Sequence, residues 1–375
     1  MGSTRSATEV PFVDLGLTHG DLKARLLEDL SRLVDGGRFT NGPAVAEFEA
    51  AFAAYCGAQR CVGVGSGLDA LRLTLIASGL EPGDEVIVPA LTFVATAEAV
   101  SQAGGVPILA DADERTYCID AEAVAAAVTE RTRFCMPVHL YGQLADMGAL
   151  QRVADERGFE LIEDACQAHG ASRDGVRPGE LSVAAAYSFY PAKNLGAFGD
   201  AGAVTTSDAQ VADRIAMLRE HGQDGKYRHA LPGWTSRLDT IHALVLLRKL
   251  ELLAEWNEQR RAAARYYGEA LNGVGDLVLP AVPEGSEHVW HLFVIRTTGP
   301  EELAAFLGAR GIETGRHYPE PIHLTRAYEQ LGYPRGSFPV SEQVARECLS
   351  LPVYPGIAEE QLEAVVIGVK EYFAG

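Results

Sequence analysis

Short apolar runs alternate with amphipathic stretches along the first two thirds of the chain. Leucines at helical spacing predict a helix from Leu22 to Leu33, and Gly36-Gly37 ends it. A second helix follows Pro43, and seven short apolar segments come after it. These predicted strands are residues 61–64, 85–89, 106–110, 133–140, 159–164, 183–190 and 202–206. Apolar strands separated by helices predict an α/β domain with a mostly parallel seven-stranded sheet, flanked by helices.

The pattern changes after Gly233. Residues 239–271 contain no Pro and no Gly before Gly268, which predicts one long helix that bridges two domains. The remainder predicts a small α+β unit with strands at 288–297 and 312–318 and helices at 300–308, 342–348 and 359–373. We therefore predict an N-terminal arm (1–20), a large domain (21–238), and a bridging helix with a smaller C-terminal domain (239–375). The sequence leaves open whether the first helix packs on the large or on the small domain.

Charge narrows the possible partners. The chain has 375 residues, with 51 acidic and 32 basic side chains and a net charge of -19. This excess repels phosphate backbones and anionic membrane surfaces, so nucleic acid and membrane are not expected partners. Any anionic ligand must be held by a local site.

The cysteines and the start of the chain indicate the cellular compartment. None of the six cysteines forms a CxxC pair or another metal-binding spacing, which predicts reduced thiols and no metal site. The segment Met1–Val10 is polar, without an apolar signal region, and no apolar run reaches the roughly 18 residues of a membrane span. We therefore expect a cytoplasmic protein.

Three clusters of chemically useful residues follow predicted strands. Gly65-Ser66-Gly67 joins a strand to a helix, where free N–H groups and the helix dipole favour an anion. Asp164 ends an apolar strand, and Lys193 follows another strand, five residues after Ser188. Each cluster alone has a simpler interpretation: a ligand-free turn, a helix cap or ion pair, and a solvated lysine.

Together, the three clusters in this chain order provide what pyridoxal phosphate needs. Its aldehyde requires an amine nucleophile, its pyridine nitrogen an anion, and its phosphate N–H and hydroxyl donors. The sequence therefore predicts a pyridoxal phosphate site at the carboxyl ends of the strands.

Longer motifs extend this prediction, and with them the chain resembles the DegT/DnrJ/StrS sugar aminotransferases, which have the fold of the aspartate aminotransferase superfamily (fold type I). The resemblance covers nearly the whole chain. The motifs that carry it are Gly42-Pro43 with Phe48-Glu49, GDEVIVP at 83–89, PVHLYG at 137–142, EDACQAHGA at 163–171 and SFYPAKNLG at 188–196.

The resemblance implies a role for each cofactor residue. Lys193 would be the covalent anchor and move the proton, and Asp164 would pair with the ring nitrogen. Gln167 would contact the ring hydroxyl, and Phe93 would stack on the ring. The phosphate would be bound by Gly65, Ser66, Gly67 and Ser188.

The family usually donates an Asn across a dimer interface to the phosphate. Here Thr235 takes its place, and His242 replaces a usual Gln. The resemblance thus implies a homodimer with composite active sites, with the cross-subunit phosphate contact altered.

The resemblance also implies the substrates: glutamate as amino donor and a nucleotide-linked keto-sugar as acceptor. The segment around Lys226, Tyr227 and Arg237 is most similar to members that aminate C3 of dTDP-3-keto-6-deoxyhexoses. A second set would face the substrate or the donor carboxylate: Arg316, His317 and Tyr318.

Other functions remain open at this point. The closest alternatives are amination at C4 of a sugar or of a cyclitol ketone, and a non-catalytic regulator that binds the cofactor. A dehydratase branch of the family has His at the Schiff-base position, which Lys193 argues against. Amino-acid lyases and desulfurases of this fold often use a cysteine in a mobile loop, and no cysteine here lies in such a loop.

Overall fold

The computed structural model describes residues 9–20 and 22–375, so residues 1–8 of the predicted N-terminal arm lie outside the described part. The helices are α1 (Lys23–Gly36), α2 (Pro43–Cys56), α3 (Gly67–Ala77), α4 (Ala95–Gln102), α5 (Ala121–Ala127), α6 (Met147–Arg157), α7 (Ala209–Leu218), α8 (Thr240–Leu250), α9 (Leu253–Ala270), α10 (Pro300–Gly308), α11 (Pro339–Glu347) and α12 (Glu359–Ala374). The strands are β1 (Arg60–Val64), β2 (Glu85–Pro89), β3 (Val106–Ala110), β4 (Thr132–Cys135), β5 (Glu160–Asp164), β6 (Ser172–Arg173), β7 (Ala184–Ser188), β8 (Gly202–Thr206), β9 (Ser286–Glu287), β10 (Phe293–Arg296) and β11 (Cys348–Leu351).

The predicted mostly parallel seven-stranded sheet is confirmed. Its strand order is β1-β8-β7-β5-β4-β2-β3, and only β8 runs antiparallel to its neighbours. Helices α3, α4 and α7 share one apolar core with the sheet, and α2 and α8 share another. Both faces of the sheet are therefore covered, which explains why its strands are apolar throughout.

Two predicted strands are shorter than expected. β4 ends at Cys135 rather than Leu140, because Pro137 follows and lacks the N–H that a ladder requires. The chain then forms a 3₁₀ turn at Leu140–Gly142. β7 ends at Ser188, where the segment that carries Lys193 begins.

The prediction of one helix over residues 239–271 is wrong. The stretch contains two helices, α8 and α9, which are separated by Glu251 and Leu252. α8 packs against α1 and α2, whereas α9 packs against α12. No Pro or Gly marks the break, so the packing on two different partners decides it rather than helix propensity.

The C-terminal part also departs from the predicted pattern. The predicted helix at 342–348 is α11, which ends at Glu347, and β11 begins at Cys348 and pairs antiparallel with β10. Residues 312–318 form no ladder, only isolated bridges from Ile312 to Val10 and from Gly315 to Ser350. A separate apolar core joins β10 and β11 to α9, α10 and α12.

The fold brings three strand ends to one edge of the sheet. Asp164 is the last residue of β5 and Ser188 the last of β7, and the two strands are adjacent in the sheet. Ser66 caps α3, which begins directly after β1. Within the described part of the chain, no helix is both long and apolar enough to cross a membrane.

Candidate active site

A cavity of about 610 Å³ opens at this edge of the sheet. It is lined by most of the residues predicted to form the site: Ser66, Gly67, Phe93, Asp164, Gln167, Ser188, Lys193, His317 and Tyr318. A larger open cleft of about 1320 Å³ lies elsewhere, between residues 9–17 and 304–314, and none of the predicted site residues lines it.

The start of α3 forms one wall of the cavity. Ser66 is extended and its Oγ accepts a hydrogen bond from Asp69 N at 3.0 Å, which caps the helix. A Cβ on Gly67 would lie only 2.6 Å from Ser188 Cβ, so only glycine lets this helix approach β7 so closely. Gly65 lies just behind this wall and donates its N–H to Ser236 Oγ at 3.2 Å. The arrangement places helix N–H groups and two hydroxyls together, which suits an anion.

Asp164 is buried, with 5% of its surface exposed, and both of its oxygens have donors. Thr96 Oγ1 donates to Oδ2 at 2.9 Å, and Cys166 N donates to Oδ1 at 3.1 Å. Thr96 also contacts Thr92 at 3.0 Å between hydroxyl oxygens. These bonds fix the carboxylate in an orientation toward the cavity. The sequence analysis missed Thr96 as a partner of Asp164, because nothing in the sequence connects the start of α4 with the end of β5.

Lys193 lies in the segment that follows β7, where its N–H bonds to Tyr190 O at 2.8 Å. A Cβ on Gly196 would lie 2.2 Å from Pro191 O, so glycine is required for this tight turn. The Lys193 side chain reaches the cavity, and its Nζ lies 3.5 Å from His291 Nε2. Burial lowers the pKa of the Lys193 amine, and Cys166 and Asp164 oppose this effect. A lowered pKa leaves more of the neutral, nucleophilic amine at a given pH.

Gln167 is held by two hydrogen bonds. Its Oε1 accepts from Tyr141 N at 2.7 Å, and its Nε2 donates to Tyr318 Oη at 3.2 Å. Burial raises the pKa of the Tyr318 phenol, so Tyr318 remains protonated at neutral pH. The Phe93 ring lies 5.6 Å from the Tyr318 ring, and the two aromatic side chains flank the mouth of the cavity.

His317 lies next to Tyr318, with ring centroids 5.6 Å apart, and is fixed on two sides. Its ring stacks on Phe12 at a centroid distance of 5.5 Å, and its Nδ1 lies 2.8 Å from Ser350 Oγ. Burial, with a further contribution from Lys193, lowers the pKa of His317 to about 4, so the ring is neutral at pH 7. Phe12 reaches the cavity from the N-terminal segment, which the sequence analysis did not connect with the site.

Six predicted residues do not line the cavity of the described chain: Gly65, which lies just behind its wall, and Thr235, Lys226, Tyr227, Arg237 and Arg316. Thr235 Oγ1 lies 3.0 Å from His221 Nε2, and Lys226 Nζ lies 5.4 Å from the ring centroid of the exposed Tyr227. These three side chains belong to the segment that precedes α8.

The two predicted anion-binding arginines have acidic partners instead. Arg237 forms an ion pair with Glu220 at 2.8 Å. Arg316 pairs with Glu301 and donates to Ala345 O at 2.6 Å. The structure therefore directs Arg316 away from its neighbours His317 and Tyr318, which do reach the cavity.

Two further cavity residues were missed by the sequence analysis. His291 contacts Lys193, and Arg260 donates to backbone carbonyls, including Val353 O at 2.7 Å. His291 belongs to a segment with no motif of its own, and Arg260 lies within a run of charged residues on α9. The sequence pattern alone therefore does not distinguish either residue from its neighbours.

The chain is similar to known proteins over nearly its whole length. The family model described as the DegT/DnrJ/EryC1/StrS aminotransferase family matches residues 21–370. A dTDP-3-amino-3,4,6-trideoxy-alpha-D-glucose transaminase from Streptomyces venezuelae is 45% identical over 372 residues, which are 99% of this chain and 98% of that protein. A protein named pleiotropic regulatory protein from Geobacillus stearothermophilus is 44% identical over 97% of this chain and 98% of its own length.

The structural comparison gives a similar result. The crystal structure of S. venezuelae DesV in complex with a ketimine intermediate superimposes with a TM-score of 0.96 and 46% identity, covering 98% of this chain and 99% of that one.

Proposed function

The chain belongs to the DegT/DnrJ/EryC1/StrS aminotransferase family, and from this premise we propose that it transfers the amino group of glutamate to C3 of a dTDP-linked 3-keto-6-deoxyhexose, with pyridoxal phosphate as cofactor. The observation that carries the proposal is that Lys193, Asp164 and the start of α3 meet at one cavity. The choice of sugar is supported by the relative from S. venezuelae, whose name specifies a dTDP-3-amino sugar. The reaction would serve amino-sugar biosynthesis.

The donor set of the cavity fits the cofactor. A reactive amine, a carboxylate held by two hydrogen bonds and a helix start next to a hydroxyl lie on three sides of the same space. The close approach of Gly67 to Ser188 leaves no room for a side chain where the phosphate would bind. When bound, the cofactor supplies an electron sink for the breaking of the C–H bond in the amino donor.

The chain's own residues would perform the rest of the reaction. Asp164, fixed by Thr96, would favour the protonated state of the ring nitrogen through its negative charge. The Lys193 amine would accept a proton from the α-carbon of glutamate and return it, and its lowered pKa suits a general base. Gln167 would hold the ring hydroxyl, and Phe93 would cover the face of the ring.

We propose that the functional unit is a cytoplasmic homodimer with composite sites. Supporting evidence is an apolar groove of about 260 Å³ between α1 and α8, whose lining includes the exposed side chains of Leu27, Leu30 and Ile241. In such a dimer, residues that lie outside the cavity of their own chain would serve the partner's cavity: Thr235 at the phosphate, and Lys226 and Tyr227 at the nucleotide sugar. Arg237 would join them only by exchanging its ion pair with Glu220 for the anion. All six cysteines are free, which is consistent with a reducing compartment.

We also propose a division into a large unit up to residue 238 and a small unit from 239 onward, preceded by an N-terminal arm. The separate apolar core around β10, β11, α10 and α12 supports this division. The bridge consists of α8 and α9 rather than of one helix. In the described part of the arm, Val10 bonds to Gly311 O at 2.9 Å, so this segment packs on the small unit.

The experiment that tests the function combines trapping with a substrate screen. Purified protein loaded with pyridoxal phosphate is reduced with borohydride, and peptide mapping should find the cofactor on Lys193. Addition of glutamate should bleach the visible absorbance and yield 2-oxoglutarate. The amine form is then offered a dTDP-linked 3-keto sugar, a 4-keto sugar, a cyclitol ketone and the free 3-keto sugar, and products are identified by mass.

The controls separate the alternatives. Lys193→Ala should lose both the trapped adduct and turnover, whereas Lys370→Ala, at an exposed lysine of α12, should keep them. Comparable kcat/KM for the free and the dTDP-linked sugar would refute a nucleotide-sugar acceptor. A protein that binds the cofactor on Lys193 but does not react with glutamate would instead be a regulator, the function suggested by the name of the G. stearothermophilus relative.

A further inference from the structure

His291 is the polar side chain that lies against the Lys193 amine. Its Nε2 is 3.5 Å from Lys193 Nζ, and both residues line the cavity. The other ring nitrogen, Nδ1, is buried and has no hydrogen-bond partner among residues 9–20 and 22–375. Within the described structure, the polar contact of the His291 ring is therefore the one with Lys193.

The main chain around His291 is held firmly from α9. The guanidinium of Arg260 donates to Trp290 O at 3.1 Å, to His291 O at 3.4 Å and to Val353 O at 2.7 Å. On the other side, Leu292 N bonds to Tyr141 O at 3.2 Å. These bonds fix the backbone that carries His291, so the direction of the ring toward Lys193 is built into the fold.

Burial, and then the charges around the ring, keep His291 neutral. Burial lowers the pKa of His291 well below its ordinary value, and the nearby Lys193, Arg260, His317 and His169 lower it further. A neutral imidazole with its proton on Nδ1 presents a lone pair at Nε2. An ammonium has three donors and no acceptor, so Nε2 can bond to Lys193 when Lys193 is protonated.

We propose that His291 is a positioning residue that accepts a hydrogen bond at Nε2 from Lys193 while Lys193 carries the proton it moves during amino transfer. The proton remains on Lys193, and no bond to His291 is made or broken other than this hydrogen bond. The inference rests on the proposed function, because it assumes that Lys193 is the group that moves the proton. Among the other titratable groups near Lys193, Cys166 and Asp164 raise its pKa, and His317 and His169 interact with its charge.

A hydrogen bond from protonated Lys193 to His291 affects the pKa of Lys193. Hydrogen bonds from a charged donor are roughly twice as strong as neutral ones, so the protonated form of Lys193 loses more than the neutral form when the acceptor is removed. Removal of the acceptor should therefore lower the pKa of Lys193. Activity should fall nevertheless, because the amine is no longer held in one position.

The test uses the full chain loaded with pyridoxamine phosphate, in which Lys193 is free. Trace reductive methylation with formaldehyde and cyanoborohydride is measured from pH 6 to 10, and the Lys193 peptide is quantified by mass spectrometry. His291→Phe keeps a ring of similar shape without a nitrogen, and His291→Gln keeps an acceptor. His288→Leu is the matched control, since His288 is a buried histidine of the same segment whose Nδ1 accepts from Trp290 N rather than from Lys193.

We expect the midpoint of Lys193 labelling to fall by about one pH unit in His291→Phe and to stay near that of the unmodified protein in His291→Gln and His288→Leu. The kcat of His291→Phe should fall about tenfold or more, at an unchanged KM for glutamate, and His291→Gln should recover most of it. If thermal unfolding shows that His291→Phe does not fold, His291→Leu replaces it.

An unchanged midpoint in the folded Phe or Leu variant overturns the inference, and so does an equal shift in His288→Leu. A different measurement shows whether the proposed function itself fails. In that case borohydride does not attach pyridoxal phosphate to Lys193 in the unmodified protein, whatever residue stands at position 291.

Discussion

The substitution Gly67→Ala adds one methyl group at the closest contact between α3 and the sheet. The new Cβ would lie 2.6 Å from Ser188 Cβ, 3.0 Å from Cys166 Sγ and 3.1 Å from Ser188 Cα. Carbon atoms normally approach no closer than about 3.5 Å, so the overlap with Ser188 is close to 1 Å. Two of the three neighbours belong to Ser188, whose Cα and Cβ move only with the backbone of β7. The helix must therefore move away from the strand.

The expected cost follows from the size of this overlap. Overpacking by one methyl group typically costs about 1–3 kcal/mol, and a contact with backbone-linked atoms favours the upper part of this range. At an unfolding entropy of about 2.1 cal/mol/K per residue, this corresponds to a decrease of roughly 1–4 °C in Tm for a chain of this length. The movement also separates the start of α3 from Ser188, the two proposed phosphate contacts. Loss of one charged hydrogen bond weakens cofactor binding about tenfold or more.

The assay measures Tm by calorimetry and the Kd of pyridoxal phosphate by absorbance. Gly268→Ala is the matched control, since Gly268 lies within α9 with no atom within 4 Å of an added Cβ. Alanine is favoured over glycine in a helix by about 0.5–1 kcal/mol, so this control should raise Tm slightly and leave the Kd unchanged. The reasoning is refuted if Gly67→Ala keeps both the Tm and the Kd of the unmodified protein.

Three further predictions test charge, pH and assembly. Asp164→Asn should keep the cofactor but lose most turnover, because the pKa of the ring nitrogen falls by about 1–3 units; near-normal kcat would contradict this role. Burial lowers the pKa of Lys249 from 10.5 to about 8. The folded protein therefore releases this proton first, and the free energy of unfolding should rise from pH 8 to 10.5 by up to about 3 kcal/mol. Lys249→Met should remove that rise in urea unfolding, and an equal slope in both proteins would argue against it. Leu27→Asp on α1 should give monomers in analytical ultracentrifugation, whereas Val282→Asp, at another exposed apolar residue, should not; a Leu27→Asp dimer would exclude this face.

The large sheet was predictable because its strands are short, apolar and separated by helices with clear caps and stops. The proximity of the main residues of the candidate site was predictable for a related reason. Asp164 and Ser188 end apolar strands and Lys193 lies just beyond one, and the carboxyl ends of parallel strands meet at one edge. The positions of these residues at strand ends along the chain were therefore enough to predict that they lie close together.

Elements that depend on distant partners were not predictable. The break between α8 and α9 has no local marker and follows from packing on different helices. β11 was not predicted, and its first residue, Cys348, was placed at the end of a helix. Four apolar and small residues fit either structure until the pairing of Phe293 with Leu351 decides for a strand.

The hydrogen-bond partners within the candidate site also could not be predicted, because they are far apart in the sequence. Thr96 and Asp164 are 68 residues apart, and His291 and Lys193 are 98 apart. Sequence analysis also could not distinguish a free arginine from a neutralised one. Arg237 and Arg316 have the chemistry of anion clamps, but Glu220 and Glu301 already occupy their guanidinium groups.

The charges at the cavity favour a composite site on physical grounds. Its lining includes two basic side chains, Lys193 and Arg260, and the Arg260 guanidinium is directed to backbone carbonyls. Lys193 is reserved for amino transfer in the proposed function, and the net charge of -19 gives no general attraction for anions. A nucleotide diphosphate therefore needs cationic donors from outside this cavity. Lys226, which is exposed and forms no ion pair with the described residues, is suited to provide one to the cavity of a second copy.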